Sequence, residues 1–579
     1  MSDVQVPAKM LDISTPSVRT DQRLAGEFRP RTLEAWLDRL PRTDPESTLQ
    51  QLYKALSTQN RVVLEPVLRL QLMELYLSPF RELYGLHHAD LRAISRVPLH
   101  PHYRNRQETM LSMLDAMAAG YKLAASDLAA GRQGGGRDSS LALALQRALY
   151  CLGEVLVTAY ELYLRPPGGT WREAHELYRC AERAEICTLP VAAPPGAGEM
   201  ADVLGTYMSI LLLGASSPHG LLPGEARRLY ELAPQWRRAL RLSAPDALPG
   251  EPGHYRIRLL DDSAPFPVSK SRGSVDDATR VLKTLGVARE MHQILTDLTS
   301  ATTRKAMQKV LGAGMQPVDV ELFRRVGRVL GEVDIVRTSN RFNVRQELEL
   351  HVGFDRVYRA CNGGRAFEAP DATFSTDAAE ATAEDEAGEQ FIDLSEPMLG
   401  VPIDGDGEGG VAASSAGDPT GWSGRSVNQS AGGMCVVLPR SPDLRVKVGD
   451  IAACRGTETQ RWQLGVLRWM RVSSKEIRFG LQFLGPVAVP VAAAAPGGQG
   501  DERGLVPAIW LPENPALKQG HSIILPRAAD DYPPVLEIHG GDAPAALRLL
   551  RRVERTGDYE HYLVALDSSP SDSHSSRSS

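Results

Sequence analysis

Near residue 334 the hydrophobic period of this chain changes from that of helices to that of strands, which divides what its two halves can become. Upstream, from about 30 to 330, apolar residues recur three or four apart. Leu49, Leu52, Tyr53 and Leu56 form one such stripe, entered through Asp44-Pro45-Glu46-Ser47-Thr48. Further stripes cover 67–83, 108–128, 141–164, 171–186, 200–213 and 224–242, then 275–298, 303–311 and 318–333. Gly/Pro clusters at 131–136, 166–169, 194–196 and 249–253 punctuate them into helical hairpins. One strand-like run, 254–260, interrupts the series. Trp171 and Tyr178 have the seven-residue spacing of tetratricopeptide helices, but Pro194-Pro195 breaks it and no fixed period continues. The expectation over 31–333 is therefore an all-α region, irregular or a degenerate helical repeat, with surface for holding another protein. Residues 1–30 read as disordered.

From Gln346 onward the texture is β-branched with period two. It is interrupted over 361–420, where fourteen Asp/Glu stand against the single Arg365 among Ala, Gly and Ser. Such a stretch buries too little apolar surface to fold and is expected to be disordered. It is either a loop insertion or a linker between domains. The formal net charge is −6, so the other residues are net positive by seven, which suits an anionic ligand but falls short of a DNA or RNA coat. A weak internal repeat follows. Leu438-Pro439-Arg440-Ser441-Pro442 recurs as Leu511-Pro512-Glu513-Asn514-Pro515, and each copy reaches an Arg-rich strand beginning at Leu467 or Leu550. Each then ends in an aromatic-aliphatic strand beginning at Phe479 or Tyr562. These features predict two small antiparallel β-barrels, at 334–486 and 504–567, joined by a linker over 487–503 and followed by a disordered Ser-rich tail, 568–579. The fold class expected is multidomain α+β.

Chemistry concentrates in two places. Arg341-x-x-x-Arg345 sets two guanidinium forks ahead of a strand-like run, 348–354. Asn428-x-Ser430-x-x-Gly433 places two small polar side chains on one face of an extended strand, with a glycine where the chain turns and left-handed backbone is permitted. Guanidinium forks match phosphate oxygens or the O6/N7 edge of guanine bidentately, and neutral Asn and Ser do not repel a dianion. Arg337-x-x-x-Arg341 is a competing assignment for the arginine pair, and Arg425 adds a further cation before Asn428.

This order of motifs, closing on Gly480-Leu481-Gln482-Phe483-Leu484, resembles the PilZ domain, a family of bacterial receptors for cyclic di-GMP. The resemblance covers about 337–486. It implies that Arg341 and Arg345 fold over the ligand, that Asn428 and Ser430 receive a guanine, and that Gly433 lets the backbone turn beneath it. It also implies a signalling adaptor with outputs such as surface motility, flagella, pili or exopolysaccharide. The spacing departs from the family pattern, because the acidic stretch lies between the two motifs. Its thirteen net negative charges beside a cationic pocket would compete with an anionic ligand. The second β copy lacks the Asn-x-Ser-x-x-Gly pattern, so only the first is expected to bind. An interaction scaffold whose barrels bind no nucleotide stays open as the alternative.

Other signals exclude more than they assign. Asp404-Gly405-Asp406-Gly407-Glu408 starts like a calcium loop, but the twelfth position is Ser415. His87, His88, His100 and His102 lack partner ligands at zinc spacing and read as a solvated loop. His175, Cys180 and Cys187 read as core. No Walker loop, dinucleotide fingerprint, nucleophile elbow or catalytic pair is present, so no catalytic residue, metal or cofactor is expected. Six dispersed cysteines and the absence of an export signal or membrane-length apolar run suit the cytoplasm.

Overall fold

The computed structural model describes residues 11–16, 28–93, 96–99, 101–131, 137–196, 198–245, 248, 250–271, 274–300, 304–311, 314–316, 319–331, 342–368, 421–441, 443–457, 461–485, 487–496, 504–513, 520–528, 530–540 and 545–567. They fall into two compact units, 1–333 and 334–579. The expected disorder at 361–420 and in the tail, and the loop at 404–415, lie mostly or wholly outside the described residues.

The first unit is built on helices α1 (Pro30–Leu37), α2 (Pro45–Gln59), α3 (Pro66–Ala93), α4 (Pro101–Ala130), α5 (Arg137–Glu161) and α6 (Thr170–Arg183). After them come α7 (Val203–Ala215), α8 (Glu225–Leu232), α9 (Leu285–Ser300), α10 (Arg304–Leu311) and α11 (Asp319–Leu330). Local chemistry sets several starts. Asp44 caps α2 by accepting from the Ser47 N–H at 3.1 Å, and Asp202 caps α7 by accepting from Gly205 at 2.7 Å. Helix lengths run from 8 to 30 residues, so among the described residues the hairpins share no repeating unit. Helix α5 packs against α4, α6, α7 and α8. It is long and apolar enough to cross a bilayer, yet 94% of its most apolar stretch is buried inside the unit, as a central core helix requires.

Two expectations for this unit change. The strand expected at 254–260 is β4 (His254–Arg258), but it belongs to a four-stranded antiparallel sheet with β3 (Arg241–Ser243), β5 (Phe266–Pro267) and β6 (Thr279–Lys283), in the order β3-β6-β4-β5. A separate short pair, β1 (Val191–Ala192) and β2 (Met200–Ala201), joins the loop after α6. These strands have two to five residues, too short to show a period of two. The N-terminus is also not uniformly disordered. Leu11 and Ile13 are 1% and 2% exposed and belong to the helical core.

The second unit contains two closed six-stranded barrels. The first comprises β7 (Glu347–Val352), β8 (Trp422–Ser430), β9 (Gly433–Pro439), β10 (Ile451–Gly456), β11 (Gln463–Val472) and β12 (Glu476–Gly485). The second comprises β13 (Val489–Ala494), β14 (Val506–Leu511), β15 (Ser522–Pro526), β16 (Val535–His539), β17 (Ala545–Arg555) and β18 (Tyr559–Asp567). Around the first the order is β7-β8-β9-β12-β11-β10, and around the second β13-β14-β15-β18-β17-β16, which is the same topology twice. Part of the expected linker, 487–503, is thus the first strand of the second barrel. The shared topology also re-registers the repeat. β9, ending Leu438-Pro439 just before Arg440, matches β15, ending Leu525-Pro526 just before Arg527, rather than the Leu511-Pro512 at the end of β14.

The run beginning at Leu348 does not stay extended to Phe354. After β7 the chain turns at Gly353, where φ is +96°, into α12 (Phe354–Cys361). Phe354, Val357 and Tyr358 of this helix are buried in one cluster with Ile451 and Val466 of the first barrel and Ile509, Leu511, Ile524 and Tyr559 of the second. β7 and β8 lie on either side of the acidic stretch in sequence. They pair directly, Leu350 opposite Trp422 and Glu347 opposite Arg425. The stretch is therefore a loop insertion within one barrel and not a linker between domains.

Candidate functional site

Residues opposite one another in an antiparallel pair share a face, so register locates the motif residues. Val466 packs against the second barrel, which fixes its face as the outside of the first. Val466 is opposite Gln482, and Gln482 is opposite Gly433. Gly433, Cys435 and Val437, alternating along β9, therefore point outward, while Val436 between them lies opposite the fully buried Phe479.

Strand β8 carries a bulge between Ser426 and Asn428. Arg425 lies opposite Val437, Asn428 opposite Cys435 and Ser430 opposite Gly433, so all three present to the outer face. In a regular strand Arg425 and Asn428, three apart, would face opposite sides. The extra residue cancels the alternation and adds the cation to the polar pair. Asn428 is 9% exposed, Arg425 and Ser430 are half-buried, and the Ser430 hydroxyl donates to the Gly433 carbonyl at 3.2 Å.

Three cross-strand rows follow. Arg425, Val437, Arg478 and Arg471 form the first; Asn428, Cys435, Gly480 and Trp469 the second; Ser430, Gly433 and Gln482 the third. The first row is cationic, with Arg478 also held to Glu476 at 3.2 Å. In the second row the Trp469 indole lies over Gly480, where an added Cβ would stand 2.1 Å from Nε1. That buried N–H has no hydrogen-bond partner among the described residues.

The arginine-bearing segment runs beside β8. Phe342 exchanges both backbone hydrogen bonds with Gln429, at 2.9 and 3.0 Å. Ser426, fully buried, ties the next residues down: its hydroxyl donates to the Val344 carbonyl at 2.6 Å and accepts from the Gln346 N–H at 3.0 Å. Arg345, between them, is exposed. Arg337 and Arg341 lie outside the described residues. Gly433 does not use the left-handed backbone that glycine permits; space holds the position instead, since a Cβ there would meet the Leu481 carbonyl oxygen at 2.1 Å.

Sequence reasoning brought Arg345, Arg425, Asn428, Ser430 and Gly433 to one neighbourhood and missed Ser426, Trp469, Arg471 and Arg478. The signal for Trp469 was a hairpin turn at Ser474-Lys475 that pairs a Trp with a Gly, a known cross-strand match. Among the described residues no group of His, Cys, Asp or Glu is placed to hold a metal ion. His87 is not on a solvated loop; it is buried at the end of α3, hydrogen-bonded to Gln107.

Residues 31–247 match the family model for the N-terminal domain of the cyclic-di-GMP receptor FimW, 255–490 that for its middle PilZ domain and 491–565 that for its C-terminal β-barrel domain. Domain for domain, the chain is similar to FimW. The FimW of Pseudomonas aeruginosa, described as a cyclic-di-GMP receptor, is 24% identical over 598 aligned positions, covering 96% of this chain and 93% of that protein. No solved structure matches the chain. The FimW middle-domain match begins inside β4, so it takes in part of the small sheet and helices α9–α11 as well as the first barrel. The FimW C-terminal match begins within β13, in keeping with that strand's place in the second barrel.

Proposed function

We propose that this chain is a cyclic di-GMP receptor that binds the dinucleotide on the outer face of the first barrel and couples binding to a protein partner of the helical unit. The observation that carries the reading is the β8 bulge, which brings Arg425, Asn428 and Ser430 to one face beside the segment bearing Arg345. Cations at the edge of a neutral polar patch suit a ligand with two phosphates and two guanines. Arg341 and Arg345, the pair in the family's order, grip phosphate and the guanine O6/N7 edge, with Arg337-x-x-x-Arg341 as the competing assignment. Asn428 and Ser430 fix the other polar edge, and Trp469 offers an aromatic face for base stacking. Similarity to a named cyclic-di-GMP receptor over nearly the whole length supports the same ligand. The role is that of a receptor rather than an enzyme, in the cytoplasm, with surface motility, flagella, pili or exopolysaccharide as the range of outputs.

Fluorescence anisotropy with a labelled cyclic di-GMP tests the site. Arg345→Ala and Asn428→Ala should each weaken binding by roughly 2–5 kcal/mol, whereas Arg548→Ala on the second barrel should leave it unchanged. Equal affinity for all three variants and the parent chain would place the ligand elsewhere.

A further inference from the structure

Residues 11–16 precede the region that matches the FimW domains, yet they are seated on the helical unit by specific contacts. The segment has no secondary structure, and its side chains alternate: Leu11 and Ile13 are buried, Asp12 and Ser14 exposed. Both buried residues join the core formed by the helices. Between and beyond them the segment is read by polar groups. The Ser14 N–H donates to Glu173 Oε1 at 2.7 Å, and its hydroxyl donates to the same oxygen. The Lys122 ammonium, 2% exposed, bridges Glu173 Oε2 at 2.8 Å and the Ser14 hydroxyl at 3.3 Å, and Arg172 pairs with Asp12. Lys122 comes from α4, and Arg172 and Glu173 from the first turn of α6. No backbone–backbone hydrogen bond ties the segment to the helices among the described residues.

This is how a short linear motif is held: apolar anchors two apart, a carboxylate reading one N–H and one hydroxyl, and no continuous chain pairing. We propose that this groove across α4 and α6 is a peptide-binding site of the helical unit, occupied in cis by residues 11–16. It is used by a protein partner presenting an extended apolar-x-apolar-Ser/Thr segment. The proposal rests on the helical unit being the partner-binding half of the molecule, and it specifies the chemistry that half recognises. Glu173 makes the groove selective for a donor, because its Oε1 accepts from the Ser14 hydroxyl and a carboxylate in that position has no hydrogen to give. The tethered segment competes at a high effective concentration, so it masks the groove until displaced.

The test uses the full chain and a fluorescent peptide of residues 8–18, without nucleotide, so that its outcome is independent of the first barrel's ligand. Ile13→Asp and Ser14→Asp, which weaken the tethered segment, should each raise affinity for the wild-type peptide at least about tenfold over the parent chain. A peptide carrying Ser14→Asp should bind about tenfold more weakly than the wild-type peptide. Should Ile13→Asp lose its cooperative thermal transition, Ser14→Asp, at an exposed position, decides alone. Equal binding by the parent chain and folded variants, or none by any of them, overturns the proposal.

Discussion

Gly433 is held to glycine by space rather than by backbone conformation. The clash that a Cβ would make is with a backbone carbonyl of the adjacent strand, which cannot rotate away as a side chain can. Gly433→Ala should therefore lower the barrel's stability by about 1–3 kcal/mol, read as a shift in urea midpoint with little change in slope. A different residue sets an acid limit on the helical unit. His175 is buried, its Nε2–H donating to the Ser263 carbonyl at 3.0 Å and its Nδ1 accepting from the Tyr207 hydroxyl at 2.8 Å. Burial pushes its pKa down to about 4, against smaller upward pulls from the Ser263 carbonyl, Asp262 and Asp261. As pH falls through about 6.5 the unfolded chain takes up this proton first, so the stability held above 6.5 is lost progressively down to about 4. The loss expected from this residue is roughly 3 kcal/mol. Urea midpoints measured between pH 7 and pH 4 should fall steeply for the parent chain and less steeply for His175→Phe; parallel curves would rule out this assignment.

Among the elements, α12 joins the two barrels through a shared apolar cluster. Its Val357 is fully buried and touches no solvent, so Val357→Ala leaves a void at the junction. The expected cost is about 1–3 kcal/mol, seen as a lower and less cooperative melt of the barrel unit. A single unaltered transition would mean that the barrels do not stabilise each other through this helix. The same elements mark what could be read from the chain. Helix α2 was legible through its cap and stripe, and β12 through its alternation. Helix α12 was not, because eight residues give only two turns and its apolar positions continue those of β7. The β8 bulge was invisible too. Bulges follow from pairing with β9, and nothing local to Ser426-Val427-Asn428 announces one. Seeing Asn428 and Ser430 on one face needed only the period of a strand. Adding Arg425 to that face, and Trp469 to the row, needed the register.

At the scale of the whole barrel unit, the candidate face is continuous with the junction. Arg468 donates to Gln482, in the row of Ser430 and Gly433, at 2.7 Å and to Glu554 of the second barrel at 2.5 Å. Lys447 reaches Asp558 of the second barrel at 3.1 Å. Tandem barrels of one topology thus share a polar and an apolar seam, while only the first carries the Asn-x-Ser-x-x-Gly pattern. The proposal that matters most at this scale is that the outer face of the first barrel receives cyclic di-GMP. Isothermal titration of the full chain with cyclic di-GMP tests it most directly. The account predicts saturable heat with a dissociation constant in the micromolar range or below, and loss of that heat in Arg345→Ala. No heat at tens of micromolar ligand, or the same isotherm for both proteins, would contradict it.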